Sequence, residues 1–225
     1  MGILDFLFPK QCVGCKKGGT YFCHDCVARA KRTFPLVCPV CERASIDGVT
    51  HAKCKSGVSP EGLFSVWEYT GVPRKLIIQL KYKFVEEAAC DLARGVSLEL
   101  SKSCPYWLKG KNTLVPIPLY WRRENWRGFN QAKNVGELIA QQMGWEFKDL
   151  LVRTKNTKHQ VGLKGEERKT NVGGIFQIEK WIVLNLNKKI VLFDDVWTTG
   201  STLKEATKTL KAEGFAQVYC LTLAR

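Results

Sequence analysis

IVLFDDVWTTGST, residues 190–202, joins a continuous apolar run to two carboxylates and then to a glycine surrounded by hydroxyl side chains. The apolar run at 190–193 predicts a central buried strand. Apolar residues at helical spacing follow from Thr202 to Glu213, and Gly214 is placed to end that helix. We therefore expect the polar residues at the carboxyl end of a strand and at a helix N-terminus, where open α/β sheets bind ligands.

The residue types in this loop suit a ribose 5-phosphate group. Gly200 lets the backbone approach a phosphate, and backbone N–H groups, the helix dipole and nearby hydroxyls favour the anion. The hydroxyls belong to Thr198, Thr199, Ser201 and Thr202. The adjacent carboxylates of Asp194 and Asp195 would repel a second phosphate but can accept hydrogen bonds from vicinal sugar hydroxyls. The alternative is a solvated strand end followed by an ordinary N-cap turn; a P-loop motif is absent from the sequence.

Segments with strand and helix patterns alternate along the rest of the chain. Strands are predicted at 63–69, 113–118, 150–152, 175–178, 190–193 and 218–221, and helices at 74–81, 85–100, 131–143 and 202–213. This alternation predicts the α/β class, with a mostly parallel sheet covered on both faces. We assign residues 59–225 to this domain and residues 1–58 to a small Cys-rich domain before it.

Seven of the ten cysteines lie between positions 12 and 54, in a spacing typical of zinc ribbons. The pairs are Cys12 with Cys15, Cys23 with Cys26, Cys38 with Cys41, and His51 with Cys54. A Cys-x-x-Cys turn places two thiolates on one side of a knuckle, and two knuckles complete the tetrahedron that zinc prefers. In sequence order the pairs give one site of four cysteines and one of three cysteines and a histidine. With four protein ligands each, both would be structural.

Other roles for these residues remain open. An interleaved pairing of the knuckles has the same spacing, and His24 could replace a thiolate in the second knuckle. A thioredoxin-like redox pair is the competing chemistry, although four knuckles in a row argue against it. The remaining cysteines, Cys90, Cys104 and Cys220, have apolar surroundings in the sequence and are expected in the core.

The chain is strongly basic. Thirty-five Lys and Arg residues against 21 Asp and Glu residues give a formal charge of +14, which two such zinc sites would lower to about +11. A field of this sign favours phosphate-rich small substrates and single-stranded nucleic acid alike.

The first residues, 1–9, are apolar but do not form a signal sequence, because a basic segment is missing and Asp5 interrupts the run. No run approaches the roughly 18 apolar residues of a membrane span. We expect a cytoplasmic protein whose first residues form a short packed helix; the alternative is that they dock on a partner or at the inner face of the membrane.

Residues 121–131 interleave three arginines, Arg122, Arg123 and Arg127, with three aromatic side chains. Such a segment can stack bases and neutralise phosphates, or bind pyrophosphate bidentately. The alternative is a segment anchored by buried rings with solvated arginines.

Several motifs together resemble the ComF family of bacterial competence proteins. Residues 191–202 are similar to the phosphoribosyl-pyrophosphate motif of type I phosphoribosyltransferases. The other matches are 115–118, Arg122 or Arg123, 127–132, Gln160, Leu163, Arg168 and Asn171, all behind the Cys-x-x-Cys ribbons. The resemblance covers essentially the whole chain. It departs at His51, where a cysteine is often seen, and at Trp197, a large ring that could stack on a base or fill space.

The resemblance implies a phosphoribosyltransferase-like domain that binds phosphoribosyl pyrophosphate with Mg²⁺. It also implies a role in natural transformation, in which ComF-like proteins support uptake or handling of single-stranded DNA, with the ribbons docking proteins of the uptake machinery. The alternative is an active phosphoribosyltransferase acting on a nucleobase or a related small molecule.

Roles for individual residues follow from this resemblance. Residues 194, 195 and 198–202 would bind the ribose phosphate, and Arg123 and Arg127 the pyrophosphate. Residues 154–173 would form a mobile flap that carries Arg168. The candidate catalytic residues are Asp194, Asp195 and Arg168.

Overall fold

Helices and strands alternate along most of the described chain. The computed structural model describes residues 10–82, 86–155, 174–179 and 185–225. The helices are α1 (His24–Ala28), α2 (Gly71–Tyr82), α3 (Glu86–Lys102), α4 (Trp121–Arg127), α5 (Gln131–Met143) and α6 (Ser201–Ala212). The strands are β1 (Leu63–Trp67), β2 (Thr113–Pro116), β3 (Glu146–Phe147), β4 (Leu151–Arg153), β5 (Phe176–Ile178), β6 (Ile190–Val196) and β7 (Val218–Ala224). Short 3₁₀ turns occupy Ile46–Gly48, Ala52–Cys54 and Tyr106–Leu108.

The main sheet has five strands in the order β1-β7-β6-β2-β3, and each neighbouring pair is parallel. β4 and β5 pair antiparallel in a separate two-stranded sheet. The predicted α/β class with a mostly parallel sheet is therefore confirmed. β6 lies at the centre, as its continuous apolar run predicts.

Both faces of the sheet are covered. Along β6, Val191 and Phe193 join a core cluster with α2, α3 and α5, while Ile190 and Leu192 join a second cluster with α6, β4 and β5. This alternation follows from the two-residue period of a strand. One face is thus covered by helices and the other by α6 with the small two-stranded sheet, and the carboxyl edge of the sheet is left for loops.

Helix α5 follows its sequence signals closely. The Asn130 side chain accepts hydrogen bonds from the backbone N–H groups of Ala132 at 3.0 Å and Lys133 at 3.4 Å. These bonds satisfy donors that have no partner inside the helix. Gly144 ends the helix in the left-handed conformation with φ of +65°.

The Cys-rich segment is tied to helix α3 by one carboxylate and to the edge of the sheet by two bridges. Buried Asp91 on α3 accepts hydrogen bonds at its carboxylate from the Thr20 hydroxyl and the Tyr21 N–H, both at 2.6 Å, and from the Phe22 N–H at 3.2 Å. Antiparallel bridges also join Arg32 to Trp67 and Val49 to Gly62 along the outer side of β1. The boundary between residues 58 and 59 stays a prediction.

Two expectations about local structure differ from what is observed. The sequence predicts no element at 121–127, which forms the helix α4. Of the three cysteines expected in the core, Cys220 is buried and Cys104 half-buried, but Cys90 is exposed. The core prediction for Cys90 is wrong because its apolar neighbours in the sequence, Ala88 and Ala89, lie on another face of α3.

Some predicted features fall outside the described residues. These are the apolar start at 1–9 and residues 156–173 of the predicted flap. Across the ranges that are described, no helix is long and apolar enough to cross a membrane.

Candidate phosphate-binding site and metal sites

The two carboxylates lie where β6 reaches the carboxyl edge of the sheet. β6 continues beyond the predicted apolar run to Val196, and Asp194 pairs in register with Thr222 of β7. Both aspartates are half-buried. The Asp195 N–H donates to Oδ1 of Asp194 at 2.8 Å, which fixes that carboxylate relative to the backbone of the next residue.

The hydroxyl-rich turn directly follows the carboxylates. Gly200 is the N-cap of α6, with φ of +66°. The hydroxyl Oγ1 of Thr199 donates to Oγ of Ser201 at 3.1 Å, and Nζ of Lys204 donates to the Thr199 carbonyl at 3.2 Å. The first N–H groups of α6 have no carbonyl partner inside the helix, and the helix dipole favours an anion there. The structure therefore places the predicted phosphate cup and the carboxylates side by side.

Trp197 forms the floor of this turn. Its side chain is only 2% exposed and packs against Gly200, where an added Cβ would lie 2.1 Å from ring atom Cζ2. Nζ of Lys204 lies 5.3 Å from the centroid of the ring. Of the two roles open for this ring, filling space is the one the structure supports, because a ring so deeply buried cannot stack on a base.

Three arginines interact with one another, and one of them, Arg153, interacts with Asp194 at this edge. Burial lowers the pKa of Arg123 on α4, and the charge of Arg127 lowers it further. Arg127 also donates to Oε1 of Gln131 at 3.3 Å. Burial likewise lowers the pKa of Arg153 on β4, with a further contribution from Arg123, while Asp194 raises it. Mutual effects of this kind require that these charges lie near one another.

Arg153 is the residue of this group that the sequence did not predict. It ends the short strand β4, and its guanidinium lies 5.9 Å from the centroid of the Phe176 ring on β5. Its only signal in the sequence is a basic residue after an apolar triplet, which is common at strand ends. The tertiary position alone identifies it.

Helix α4 presents aromatic rings to solvent. Trp121 is 54% exposed and Trp126 is 77% exposed. The Arg122 guanidinium lies 5.1 Å from the centroid of the Trp121 ring. The alternative in which the tryptophans anchor this segment does not fit these exposures.

The remaining predicted residues of the flap lie outside the described residues. They are Gln160, Leu163, Arg168 and Asn171. Their predicted roles, including that of Arg168, stay predictions.

The cysteine pairs come together in two consecutive groups. The ligand atoms of each group lie within 4.8 Å of one another, and the groups are Cys12, Cys15, Cys23, Cys26 and Cys38, Cys41, His51, Cys54. This arrangement favours pairing in sequence order over an interleaved pairing. His24 belongs to neither group.

The orientation of His51 suits a metal ligand. Nε2 lies 3.1 Å from the carbonyl oxygen of Ala44, and Nδ1 lies 3.3 Å from Sγ of Cys41. An N–H at Nε2 that donates to the carbonyl leaves Nδ1 directed toward the thiols, as in many zinc sites. Hydrogen bonds from the backbone and guanidinium of Arg43 lower the pKa of Cys41 to about 6.

Both groups could hold a structural zinc ion. Zinc in such sites takes four Cys or His ligands in a tetrahedron, with Zn–S distances of about 2.3 Å. Four ligand atoms mutually within 4.8 Å match a tetrahedron of this size. Four protein ligands leave no open position for a reacting water.

No family model matches the chain, but it is similar to named proteins over most of its length. It is 32% identical over 201 residues to the DNA utilization protein YhgH of Escherichia coli, covering 86% of this chain and 87% of that protein. It is 32% identical over 161 residues to Competence protein F of Haemophilus influenzae, covering 68% of each. The solved adenine phosphoribosyltransferase of Trypanosoma brucei overlaps with a TM-score of 0.40 and 11% identity, over 70% of each chain. The fold class rests on the sheet order rather than on this overlap. The two relatives, at this identity and coverage, show that the chain belongs to the ComF family of competence and DNA utilization proteins.

Proposed function

We propose that this chain is a cytoplasmic competence factor that binds phosphoribosyl pyrophosphate or other ribose 5-phosphate groups, together with single-stranded DNA. The names of its relatives, DNA utilization protein and competence protein, support the biological role. The basic charge of +14 supports a polyanionic partner. The ribbons, in this proposal, dock proteins of the uptake machinery.

One observation carries the proposal for the ligand. Asp194 and Asp195 lie just before the end of the central strand, and the turn at 198–202 then leads into α6 over the ring of Trp197. The carboxylates suit sugar hydroxyls, whereas the turn suits a phosphate. A ribose 5-phosphate group has sugar hydroxyls at one end, for the carboxylates, and a phosphate at the other, for the turn.

Mg²⁺ fits the same residues. This ion keeps several waters and binds through one or two carboxylates together with the phosphates of a substrate. Asp194 and Asp195, half-buried at the edge of the sheet, are the carboxylates that would hold it, directly or through water. When bound it would neutralise charge on the pyrophosphate group.

Isothermal titration calorimetry with phosphoribosyl pyrophosphate and Mg²⁺ tests the pocket. We expect binding to the wild type and none to an Asp194→Ala/Asp195→Ala variant. Glu137→Ala, which removes an exposed carboxylate from α5, is the matched control and should bind like the wild type. A wild type that does not bind would refute the ligand proposal.

Phosphoribosyl transfer is the second candidate function, and the arginine group favours it. Asp194 interacts with the charge of Arg153, which in turn interacts with Arg123, and Arg123 with Arg127. Guanidinium groups there could stabilise a departing pyrophosphate. Release of pyrophosphate in the presence of a panel of nucleobases tests this step. If the protein binds phosphoribosyl pyrophosphate but releases no pyrophosphate with any base, transfer to those bases is excluded and the binding function stands.

A further inference from the structure

We infer that single-stranded nucleic acid runs along the carboxyl edge of the sheet, from the phosphate turn to a basic cleft beside the first cysteine group. This inference rests on the proposed function, because it assigns a path to the nucleic acid that the function requires. The far end is defined by Arg29 and Lys31, which line a cavity, and by Arg74, which directly follows the lining residue Pro73. These three residues are here called the ribbon-side basic cleft.

The ribbon-side basic cleft is an open concavity between the first cysteine group and the start of α2. It has a volume of about 400 Å³, with Cys15, Arg29 and Lys31 on one wall and Thr70 and Gly71 on the other. All five of these residues are exposed. Basic side chains therefore meet solvent on the wall beside the cysteine group, and Thr70 and Gly71 do so on the opposite wall.

Arg74 extends the positive charge along α2. It is exposed, and its guanidinium lies 5.7 Å from the centroid of the Tyr69 ring. An aromatic ring beside a guanidinium, next to lysine and arginine, is the combination found where single strands bind without sequence preference. The acidic groups nearby are Asp25, 3.9 Å from Lys17, and Glu68, so the basic residues are in excess.

Backbone hydrogen bonds connect this cleft to the phosphate turn. The Tyr69 N–H donates to the carbonyl of Arg225 at 2.7 Å, and the Trp197 N–H donates to the carbonyl of Ala224 at 2.9 Å. Both loops are therefore fixed to the same end of β7. β1 and β6 flank β7, so their carboxyl ends are roughly 10 Å apart at the usual strand spacing. Stacked nucleotides rise about 3.4 Å each, and about three of them would span the gap.

The opposite side of the phosphate turn is also basic. β2 lies on the other side of β6, and the chain after it leads into α4 with Arg122 and the exposed rings of Trp121 and Trp126. Positive charge thus flanks the two aspartates on both sides, with exposed rings on the α4 side and the half-buried ring of Tyr69 on the cleft side. A strand crossing the edge could place one sugar phosphate in the turn and its neighbours on either flank.

Salt-dependent fluorescence anisotropy with a labelled oligothymidine of about 12 nucleotides tests the path. The protein is the full zinc-loaded chain. The variant Lys31→Ala/Arg74→Ala removes two exposed charges of the cleft and leaves Arg29, whose Nη2 lies 4.0 Å from Sγ of Cys26. The matched control, Lys109→Ala/Lys111→Ala, removes two exposed lysines from the chain just before β2, at the amino edge of the sheet.

The cleft variant should change both the affinity for DNA and the slope of log K against log salt. Each phosphate contact to a single strand contributes about 0.7 to the slope of log K against log salt, so the cleft variant should reduce the slope by about 1.4. Its affinity at low salt should fall about tenfold, while the control keeps the wild-type slope. Zinc content and binding of phosphoribosyl pyrophosphate should match the wild type, since neither uses these side chains.

The outcomes separate the path from the function on which it rests. If the wild type binds DNA and the cleft variant has the same slope as the control, the path is wrong and the proposed function stands. If the wild type does not bind the oligonucleotide at all, the DNA-binding function fails and the path fails with it.

Discussion

Gly200 lies against the indole of Trp197 so closely that a Cβ at position 200 would be 2.1 Å from Cζ2. The φ of +66° at Gly200 is a second reason why this position needs a glycine, because residues with a side chain rarely adopt this backbone conformation. Gly200→Ala should therefore lower the free energy of unfolding by more than the roughly 1–2 kcal/mol of the left-handed conformation. It should also weaken binding of phosphoribosyl pyrophosphate, because the turn must move off the ring.

Gly110→Ala is the control for this change. Gly110 has φ of +80° and no heavy atom within 4 Å of an added Cβ, so it carries the conformational cost without the clash. Urea denaturation of both variants measures the difference. Equal destabilisation of the two would show that the packing of Trp197 does not constrain the turn.

The two cysteine groups predict the number of zinc ions that each chain binds. We expect two zinc ions per chain by metal analysis, and one in Cys38→Ser, which removes a ligand from the second group. Cys90→Ser removes an exposed cysteine outside both groups and should keep two. A result of one zinc per wild-type chain would show that the second group does not bind zinc. A Cys38→Ser variant that keeps two zinc ions would show that Cys38 is not a ligand of the second site.

Removal of Asp91 should separate the first knuckles from α3. The carboxylate accepts three hydrogen bonds from residues 20–22 and pairs with Arg94 at 2.6 Å. Asp91→Ala leaves these donors without their acceptor, and we expect a loss of about 3 kcal/mol or more in unfolding free energy. Chemical denaturation with Glu137→Ala as the control measures it. A loss as small as that of the control would mean that water replaces the carboxylate.

Acid should weaken the contact between Glu146 and Lys188. The ammonium of Lys188, helped by Thr113 and Lys148 and opposed by burial, lowers the pKa of Glu146 to about 2. A carboxyl whose pKa is lowered by folding stabilises the fold above its unfolded pKa of about 4.3, and this stabilisation is lost as the pH falls toward 2.

Comparison with Glu146→Gln isolates this effect, because acid release of zinc is common to both proteins. The difference in unfolding free energy between wild type and variant should shrink as the pH falls from about 5 toward 2. A difference that is constant with pH would assign the contact to neutral hydrogen bonding.

Arg153 should contribute to binding of the pyrophosphate group. Arg153→Gln is expected to lower affinity for inorganic pyrophosphate about tenfold, the size of one charge-assisted hydrogen bond. Arg153→Lys keeps the charge but not the planar fork, and should recover part of the loss. Calorimetry against Lys109→Gln, an exposed charge at the amino edge, supplies the comparison. Unchanged affinity in Arg153→Gln would limit this arginine to a structural role.

Most of the sheet could be predicted because its strands carry strong local patterns. The apolar run at 190–193 and the Asn130 and Gly144 signals of α5 are encoded within a few residues, and the structure has them as expected. Helix α4 was not predictable, since residues 121–127 carry no apolar stripe and none of them is buried.

Pairing between distant segments could not be predicted from local sequence patterns. The strands predicted at 150–152 and 175–178 are found at 151–153 and 176–178. Their pairing in an antiparallel sheet of their own was not predicted, because register depends on contacts between distant segments. Arg153 was missed for the same reason. The position of the phosphate turn at the end of β6 and the start of α6 could be predicted because one loop contains all of its residues. Their role in binding stays a prediction.

The bridges from Arg32 and Val49 to the outer side of β1 have a consequence for solubility. β1 is an edge strand of the main sheet, and an uncovered edge offers its N–H and C=O groups to strands of other molecules. A chain shortened to begin at residue 59 would lose this cover. We expect such a fragment to self-associate edge to edge, so the Cys-rich segment protects the sheet from aggregation whether or not it also binds a partner.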